Sequence, residues 1–184
     1  MRRRRQRERL LRAAATVFAR GGYADASAEA IAREAGMSKA TFYEHFKGKE
    51  ACLLALWDQA ASFVLTASRQ GADSAGTDRQ QRLRSGIAAF LTVIAEYPDQ
   101  SRTLLVEVIG AGPEAASRRD AVFQSFADML YATGSFQTFH DAFGVIGAIA
   151  ELACRQIRLG DPADPRELEP VVMRLLSGSL SAAV

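Results

Sequence analysis

Apolar residues recur at three- and four-residue intervals along almost the whole chain, and this spacing is the strongest constraint on its fold. Leu10, Leu11, Ala14, Val17 and Phe18 form one such stripe, which is the pattern of a helix that buries one face. No segment keeps the alternation of apolar and polar residues that a half-buried strand needs. The sequence therefore predicts an all-α fold of about nine helices.

Glycine, proline and hydroxyl residues divide this pattern into separate helices. Gly21 and Gly22 end the first helix, Ser27 opens a short second one that ends at Gly36, and Ser38 opens the third. Hydroxyl side chains cap helix starts, and glycine suits helix ends. Further helices are predicted at residues 50–68, 78–97, 99–110, 114–131, 138–159 and 165–180, with a polar loop at 71–78.

Charge divides the chain into two parts. The first 50 residues hold 12 Lys and Arg against 6 Asp and Glu, a net +6, whereas the remainder holds 11 against 15, a net −4. A basic N-terminal module joined to a mildly acidic remainder favours nucleic-acid binding at one end and another task at the other. We predict a DNA-binding domain at 1–49, whose residues 1–6 form a disordered basic arm, and a second domain at 50–184.

Composition and motifs argue against several other classes of protein. With 48% apolar and 24% charged residues, the chain has an ordinary globular composition. Its apolar runs, such as 143–150, are far shorter than the roughly 18–20 residues of a bilayer span. Two histidines, with Cys52 and Cys154, offer neither metal-ligand spacing nor a nucleophile pair. We predict a cytoplasmic protein with no membrane contact, cofactor, metal site or catalytic residue, and an enzyme is the least favoured class.

Residues 27–46 carry the most informative pattern, because two short helices joined at a glycine are typical of a helix-turn-helix. Ala32 is small enough for the helices to cross closely, and Gly36 can adopt the positive φ of the turn. Five residues are placed to bury one side: Ile31, Ala35, Met37, Phe42 and Phe46. Five others remain on the open side, available to a major groove: Lys39, Ala40, Thr41, Tyr43 and His45.

Several features at fixed spacing extend this pattern over residues 10–56. They are the Leu-Leu/Ala-Ala/Phe first helix, a Gly-Tyr turn, Ile-Ala followed by Ala-Gly-Met-Ser, Thr-Phe-Tyr-x-His-Phe, and a Lys-Glu that opens the fourth helix. Together they resemble the DNA-binding domain of tetracycline-repressor-type (TetR family) regulators. The resemblance implies a three-helix helix-turn-helix domain followed by a helical regulatory and dimerisation domain.

The resemblance also implies roles for individual residues. Phosphate contacts fall to Ser27, Tyr43, His45 and Lys49, and contacts with the groove floor fall to Lys39, Ala40 and Thr41; Ser38 completes the DNA-binding candidates. Tyr43 as a core aromatic and His45 as an ordinary surface histidine stay open as alternatives. Glu29 departs from the family pattern, since some members carry a DNA-contacting basic residue near this position. Its charge suits the first turn of a helix, which is the interpretation we favour.

The function that the resemblance implies is transcriptional regulation. We expect a repressor that a small apolar or aromatic ligand releases from a palindromic operator. Pocket candidates are large residues beyond what one stripe per helix needs, with Glu107 and His140 as polar anchors: Trp57, Phe63, Phe90, Ile94, Leu104, Phe123, Phe126, Phe139 and Phe143. A filled core is the alternative interpretation for each. The helix from Glu50 to Ser68 is expected to be the only element joining the two domains.

The helix at 138–159 indicates a second copy of the chain as a partner. It is apolar on two opposite sides, of which a monomer is expected to cover one, and Gly144 and Gly147 permit close helix approach. We predict a homodimer through helices 138–159 and 165–180 that binds double-stranded DNA and a small-molecule effector. A helical scaffold or adaptor, and a constitutive DNA-binding dimer without a ligand, remain the alternatives.

Overall fold

The computed structural model describes residues 1–181, with side chains for residues 1–109 and 111–177; the last three residues of the predicted second domain lie outside it. Within this described part the regular elements are nine α-helices and two short 3-10 segments, which confirms the all-α prediction. The helices are α1 Arg2–Asp25, α2 Ala28–Glu34, α3 Lys39–His45, α4 Lys49–Ser74, α5 Arg79–Glu96, α6 Pro98–Leu105, α7 Pro113–Tyr131, α8 Phe139–Leu159 and α9 Glu169–Ser181. The 3-10 segments are Glu107–Gly110 and Pro165–Leu168.

The first residues of the chain are helical, which differs from the disordered arm predicted for residues 1–6. Arg4 Nε lies 2.9 Å from Glu8 Oε1 one turn further along α1, and Arg3 donates to the carbonyl oxygen of Glu44 at 3.3 Å. An ion pair at this spacing supports a helix and offsets part of the repulsion among the arginines. The predicted interruption is present, since Gly22 leaves helical geometry with a φ of 77°.

Helix α4 ends at Ser74 rather than at Ser68, so part of the predicted loop is helical. Gly71 lies inside the helix and does not end it. Because it has no side chain, α5 can cross α4 closely at this position. A Cβ atom at Gly71 would lie 2.7 Å from the carbonyl oxygen of Ser85 on α5. The glycine that looked like a loop signal is therefore a packing residue.

By length and composition, α4 is also the one helix in residues 1–181 that could cross a membrane. The count of uninterrupted apolar residues did not reveal this. Leu53, Trp57 and Val64 of α4 are nevertheless buried inside the protein. A core helix of a globular protein passes the same test, so this is weak evidence for a membrane span.

The chain forms two compact units. The first comprises residues 1–61 and 99–116, and the second comprises residues 62–98 and the described residues from Ser117 onward. The chain passes between the units at three places, so the expectation that one helix alone joins the two parts is wrong. The first unit extends past residue 49 and includes α6 and the 3-10 segment that follows it. A functional boundary at residue 49 stays a prediction.

Helix α8 lies in the second unit and begins with a capping box, in which the side chains of Thr138 and Asp141 bind each other's backbone N–H. Its buried residues come from both of the faces that the sequence pattern separated: Ala142, Val145, Ile146, Ile149, Ala150 and Ala153. The expectation that a monomer covers only one face is therefore wrong. The exposed stripe carries two small residues, Gly144 and Ala148, among the charged residues Asp141, Glu151, Arg155 and Arg158.

Candidate nucleic-acid interface

An apolar core holds the first three helices together. Six of its members are at most 2% exposed: Leu10, Leu11, Ala14, Phe18, Ile31 and Phe42. Phe46 packs against Phe42 with ring centroids 5.6 Å apart and is itself buried. The residues predicted to bury one side of the helix-turn-helix do so, except that Met37 is half-buried.

Caps and a left-handed glycine fix the angle between α2 and α3. The Ser27 hydroxyl accepts a hydrogen bond from the backbone N–H of Ala30 at 3.1 Å. Gly36 has a φ of 62°, which a residue with a side chain rarely adopts. Arg9 of α1 donates to the carbonyl oxygen of Ala35 at 2.7 Å, so it binds one of the free carbonyls at the end of α2. The turn is thus tied to α1.

The recognition helix α3 presents polar groups to solvent. Ser38 caps it, accepting from the backbone N–H of Thr41 at 3.1 Å, and the two hydroxyl oxygens lie 3.0 Å apart. Lys39 and Ala40 are exposed, and Thr41 is half-buried. Tyr43 is 52% exposed and contacts Phe42 through a ring edge. Tyr43 is thus a surface residue, whereas Phe46 is an aromatic residue of the core.

His45 occupies a more enclosed position at the end of α3. It is half-buried beside Phe46, with ring centroids 6.4 Å apart. Its Nε2 atom is buried and has no hydrogen-bond partner among the described residues. A phosphate contact through this nitrogen stays a prediction.

Lys49 binds the protein's own backbone. Its Nζ donates to the carbonyl oxygens of Tyr23 and Ala24 at 2.9 and 2.8 Å and lies 4.7 Å from the centre of the Tyr23 ring. Burial, and next the charge of Glu50, raise the pKa of Tyr23. An ammonium group has three donors, so one is left for a phosphate. Sequence reasoning assigned Lys49 to DNA alone and missed this contact.

Glu107 also contacts this region, from the 3-10 segment after α6. Its Oε2 accepts from the backbone N–H of Tyr23 at 2.9 Å, and its Oε1 lies 3.3 Å from Arg102 Nε. The Glu107 side chain is only 11% exposed. Its predicted role as a ligand anchor is untested, but in this structure both carboxylate oxygens have protein partners.

Two further contacts attach α6 to the first unit. Thr16 of α1 donates to the carboxylate of Asp99 at 3.3 Å, and the indole N–H of Trp57 donates to the carbonyl oxygen of Leu104 at 3.2 Å. Trp57 and Leu104 are both buried. The acidic Glu107 in an otherwise apolar run was the sequence signal that this segment needed a polar partner.

The eleven pocket candidates are divided between the two units. Trp57, Leu104 and Glu107 belong to the first unit, and the other eight belong to the second. In the second, Phe143 lies 6.3 Å from Phe123 and 6.0 Å from Phe139 between ring centroids, and Phe90 lies 6.3 Å from Phe126. Ile94 is buried, whereas Phe63 and His140 are exposed. Their role in ligand binding stays a prediction.

A three-helix core, a capped turn and a solvent-facing second helix on a basic unit form a helix-turn-helix, an arrangement that many DNA-binding proteins share. Residues 10–56 match the family model described as bacterial regulatory proteins, tetR family. The match covers the three-helix segment and the start of α4, so this part of the chain is similar to the DNA-binding domain of that family. The curated proteins that the chain partly matches are transcriptional regulators.

One similar protein is the transcriptional activator FasR of Mycolicibacterium smegmatis, 36% identical over 102 residues, which cover 55% of this chain and 46% of FasR. The chain matches less than half of the length of the first curated relatives. The fold is similar to that of the fatty acid degradation regulator FadR from Bacillus halodurans, with a TM-score of 0.84, 21% identity and coverage of 95% and 96% of the two chains. FadR from Bacillus subtilis in complex with stearoyl-CoA gives a TM-score of 0.77 at 18% identity, over 92% and 96%.

Proposed function

We propose that the protein is a transcriptional regulator that binds a palindromic operator by placing α3 in the major groove. The observation that carries this proposal is α3 itself, a capped helix that exposes Lys39, Ala40 and Tyr43 while Phe42 is buried beneath it. A lysine and a tyrosine hydroxyl on one open surface provide the donors that bases and phosphates accept. A cytoplasmic location follows, because bacterial operators lie in the cytoplasm.

The proposed contacts with DNA are of two kinds. Ser27, Tyr43, His45 and Lys49 position the protein on phosphates, whereas Lys39, Ala40 and Thr41 meet the groove floor. The first set affects all sequences alike, and the second affects preference among sequences. Ser38 acts through the cap and orients α3. A helical scaffold without DNA affinity would not need this surface.

A mobility-shift assay on the DNA upstream of the protein's own coding sequence, followed by footprinting, tests the proposal. We expect a saturable complex that withstands excess random DNA and a footprint of two half-sites related by a two-fold axis. Reporter expression with and without the protein then gives the direction of regulation, for which we propose repression. Equal affinity for the upstream and random duplexes would contradict the proposal.

We further propose a homodimer through α8 and α9. The exposed stripe of α8 contains Gly144 and Ala148, and a Cβ atom at Gly144 would meet nothing within 4 Å. Leu159 at the end of α8 is 62% exposed and Leu175 of α9 is 37% exposed. Small residues on α8, together with an exposed leucine on each of the two helices, suit a close crossing with helices of a second copy. Sedimentation at micromolar concentration should give twice the chain mass.

The second unit is proposed to bind an apolar effector that weakens DNA binding. Phe126, Phe139 and Phe143 are only half-buried, so part of each side chain is not covered by other protein atoms. Stearoyl-CoA, which B. subtilis FadR binds, is a reasonable first probe, followed by free fatty acids and aromatic compounds. A ligand that binds the DNA-free form more tightly should dissociate the complex and raise the melting temperature. If no compound does both, the constitutive DNA-binding dimer becomes the better description.

A further inference from the structure

Glu29 and Lys39 form an ion pair across the helix-turn-helix. Glu29 lies in the first turn of α2, and Lys39 is the first residue of α3. Glu29 Oε2 is 3.8 Å from Lys39 Nζ, and the two side chains are 70% and 58% exposed. The structure therefore places a carboxylate beside a lysine that the proposed function assigns to the groove floor.

The start of α2 favours a carboxylate at Glu29, but neither the ion pair nor general DNA affinity explains why this carboxylate lies beside Lys39. An ion pair between exposed side chains contributes little to folding. A negative charge near the DNA surface opposes phosphate binding, and it also competes with DNA for the lysine. A carboxylate can bind DNA only where a base presents a hydrogen-bond donor. In the major groove these donors are the amino groups of cytosine and adenine.

A G·C base pair offers complementary groups to both members of the ion pair. Guanine presents two acceptors, O6 and N7, and lysine is a common partner of both, while the amino group of cytosine donates to a carboxylate. An A·T pair offers the lysine only single acceptors, next to the adenine amino group. The reversed C·G pair would place the carboxylate against guanine O6 and the ammonium against the cytosine amino group.

We propose that Glu29 and Lys39 together read one G·C base pair in each operator half-site. Lys39 donates to guanine, and Glu29 accepts from the amino group of the paired cytosine. This inference rests on the proposed function, because it requires that α3 enters the major groove. It gives Glu29 a role in specificity, in addition to the helix-start role that the sequence favoured.

The test begins with the wild-type chain and a library of duplexes that carry two randomised half-sites in palindromic arrangement. All four base pairs are then compared at each position of the selected site, for wild type, Glu29→Gln and Lys39→Met. Glu34→Gln is the matched control, because it removes the same charge from α2, where Glu34 faces Arg20 at 3.6 Å. Each preference is a ratio of affinities from one protein preparation, so a loss of folded protein cancels.

We expect wild type to prefer G·C over the reversed pair by about tenfold or more at one position of the half-site. Glu29→Gln and Lys39→Met should each reduce that preference to a few-fold at this same position. Glu29→Gln should also bind random DNA more tightly, because a repulsive charge is gone, and Glu34→Gln should keep the preference of wild type.

Two results would overturn the inference and are distinguishable from each other. If wild type enriches no sequence from the library, the proposed function fails and the inference fails with it. If wild type enriches a palindrome but Glu29→Gln keeps the G·C preference, or the two variants act at different positions, only the reading by Glu29 and Lys39 fails.

Discussion

The backbone N–H of Tyr23 donates to the carboxylate of Glu107, 2.9 Å away in space and 84 residues away in the chain. The carbonyl oxygen of Tyr23 accepts from Lys49. The peptide groups on both sides of Tyr23 thus bind charged side chains, one from the start of α4 and one from the segment after α6. The segment that leads from α1 to α2 is held from two directions.

Glu107→Ala should destabilise the first unit. It leaves the Tyr23 N–H without its acceptor and Arg102 without its ion partner, and hydrogen bonds to charged groups contribute about 1.5–3 kcal/mol. We expect the free energy of unfolding to fall by roughly that amount in chemical denaturation, with a smaller loss for Glu107→Gln, whose amide oxygen can still accept. Asp128→Ala, at an exposed position of α7, is the control. Equal stability of Glu107→Ala and the control would contradict a structural role for the contact.

Lys49→Gln should have two separable effects. Loss of the two hydrogen bonds to Tyr23 and Ala24 lowers the free energy of unfolding, and loss of the remaining donor removes one phosphate contact. The second effect should flatten the slope of log affinity against log salt by about 0.9 for operator and random DNA alike. Arg69→Gln changes the charge equally at an exposed position of α4 and should do neither. An unchanged salt slope with reduced stability would show that Lys49 stabilises the fold and makes no phosphate contact.

Tyr43→Phe should weaken binding to operator and random DNA by a similar factor and leave the melting temperature almost unchanged. Only the hydroxyl is lost, and the ring edge against Phe42 stays. Tyr131→Phe provides the matched control, since Tyr131 is a similarly exposed tyrosine of α7. A loss of binding to the operator alone would instead make Tyr43 a base-reading residue.

Ala148→Glu should convert a dimer into a monomer. Glutamate on the exposed stripe of α8 would place two like charges, one from each copy, at the proposed helix crossing. Analytical ultracentrifugation should show the change, and operator affinity should fall because two half-sites are no longer bound together. Ala116→Glu, at an exposed position of α7, should remain dimeric. A dimeric Ala148→Glu protein would exclude this stripe from the interface.

Stability should decline in alkali because of Cys52. Burial raises the pKa of this thiol from 9.0 to about 12, partly opposed by the charge of Arg7. Above about pH 9 the unfolded chain loses a proton that the folded protein keeps, so the unfolded state is favoured as pH rises towards 12. Urea unfolding of wild type between about pH 8 and pH 11 should show this decline, and Cys52→Ala should show a shallower one. Parallel pH profiles would contradict it.

Local chemistry made much of the fold predictable. Ser27 and Ser38 cap their helices, Gly36 takes a positive φ, and Phe42 and Phe46 are buried, because each depends on residues within one or two turns. The predicted end of α4 was wrong because Gly71 was taken as a loop residue. A glycine at a close helix crossing and a glycine in a loop cannot be distinguished without the partner helix.

The contacts of Glu107 and Lys49 could not be predicted in the same way. Lys49 and the Oε2 atom of Glu107 bind backbone atoms, and every residue has those, so no residue type marks these contacts. The ion pair between Glu29 and Lys39 was also hidden, because it depends on the angle at which α2 and α3 cross. The DNA-binding candidates themselves were readable as an exposed side of α3, and their roles await the experiments above.

The assignment of residues 99–116 to the first unit bears on how this protein can be re-engineered. Regulators with new inputs are often built by grafting the head of one protein onto the sensor of another at a single cut. Here a graft at residue 49 would omit Asp99 and Glu107, and the transplanted head would lose the hydrogen bonds that they make with Thr16 and Tyr23. A chimera that transplants residues 1–61 together with 99–116 retains them, at the expense of three splice points instead of one.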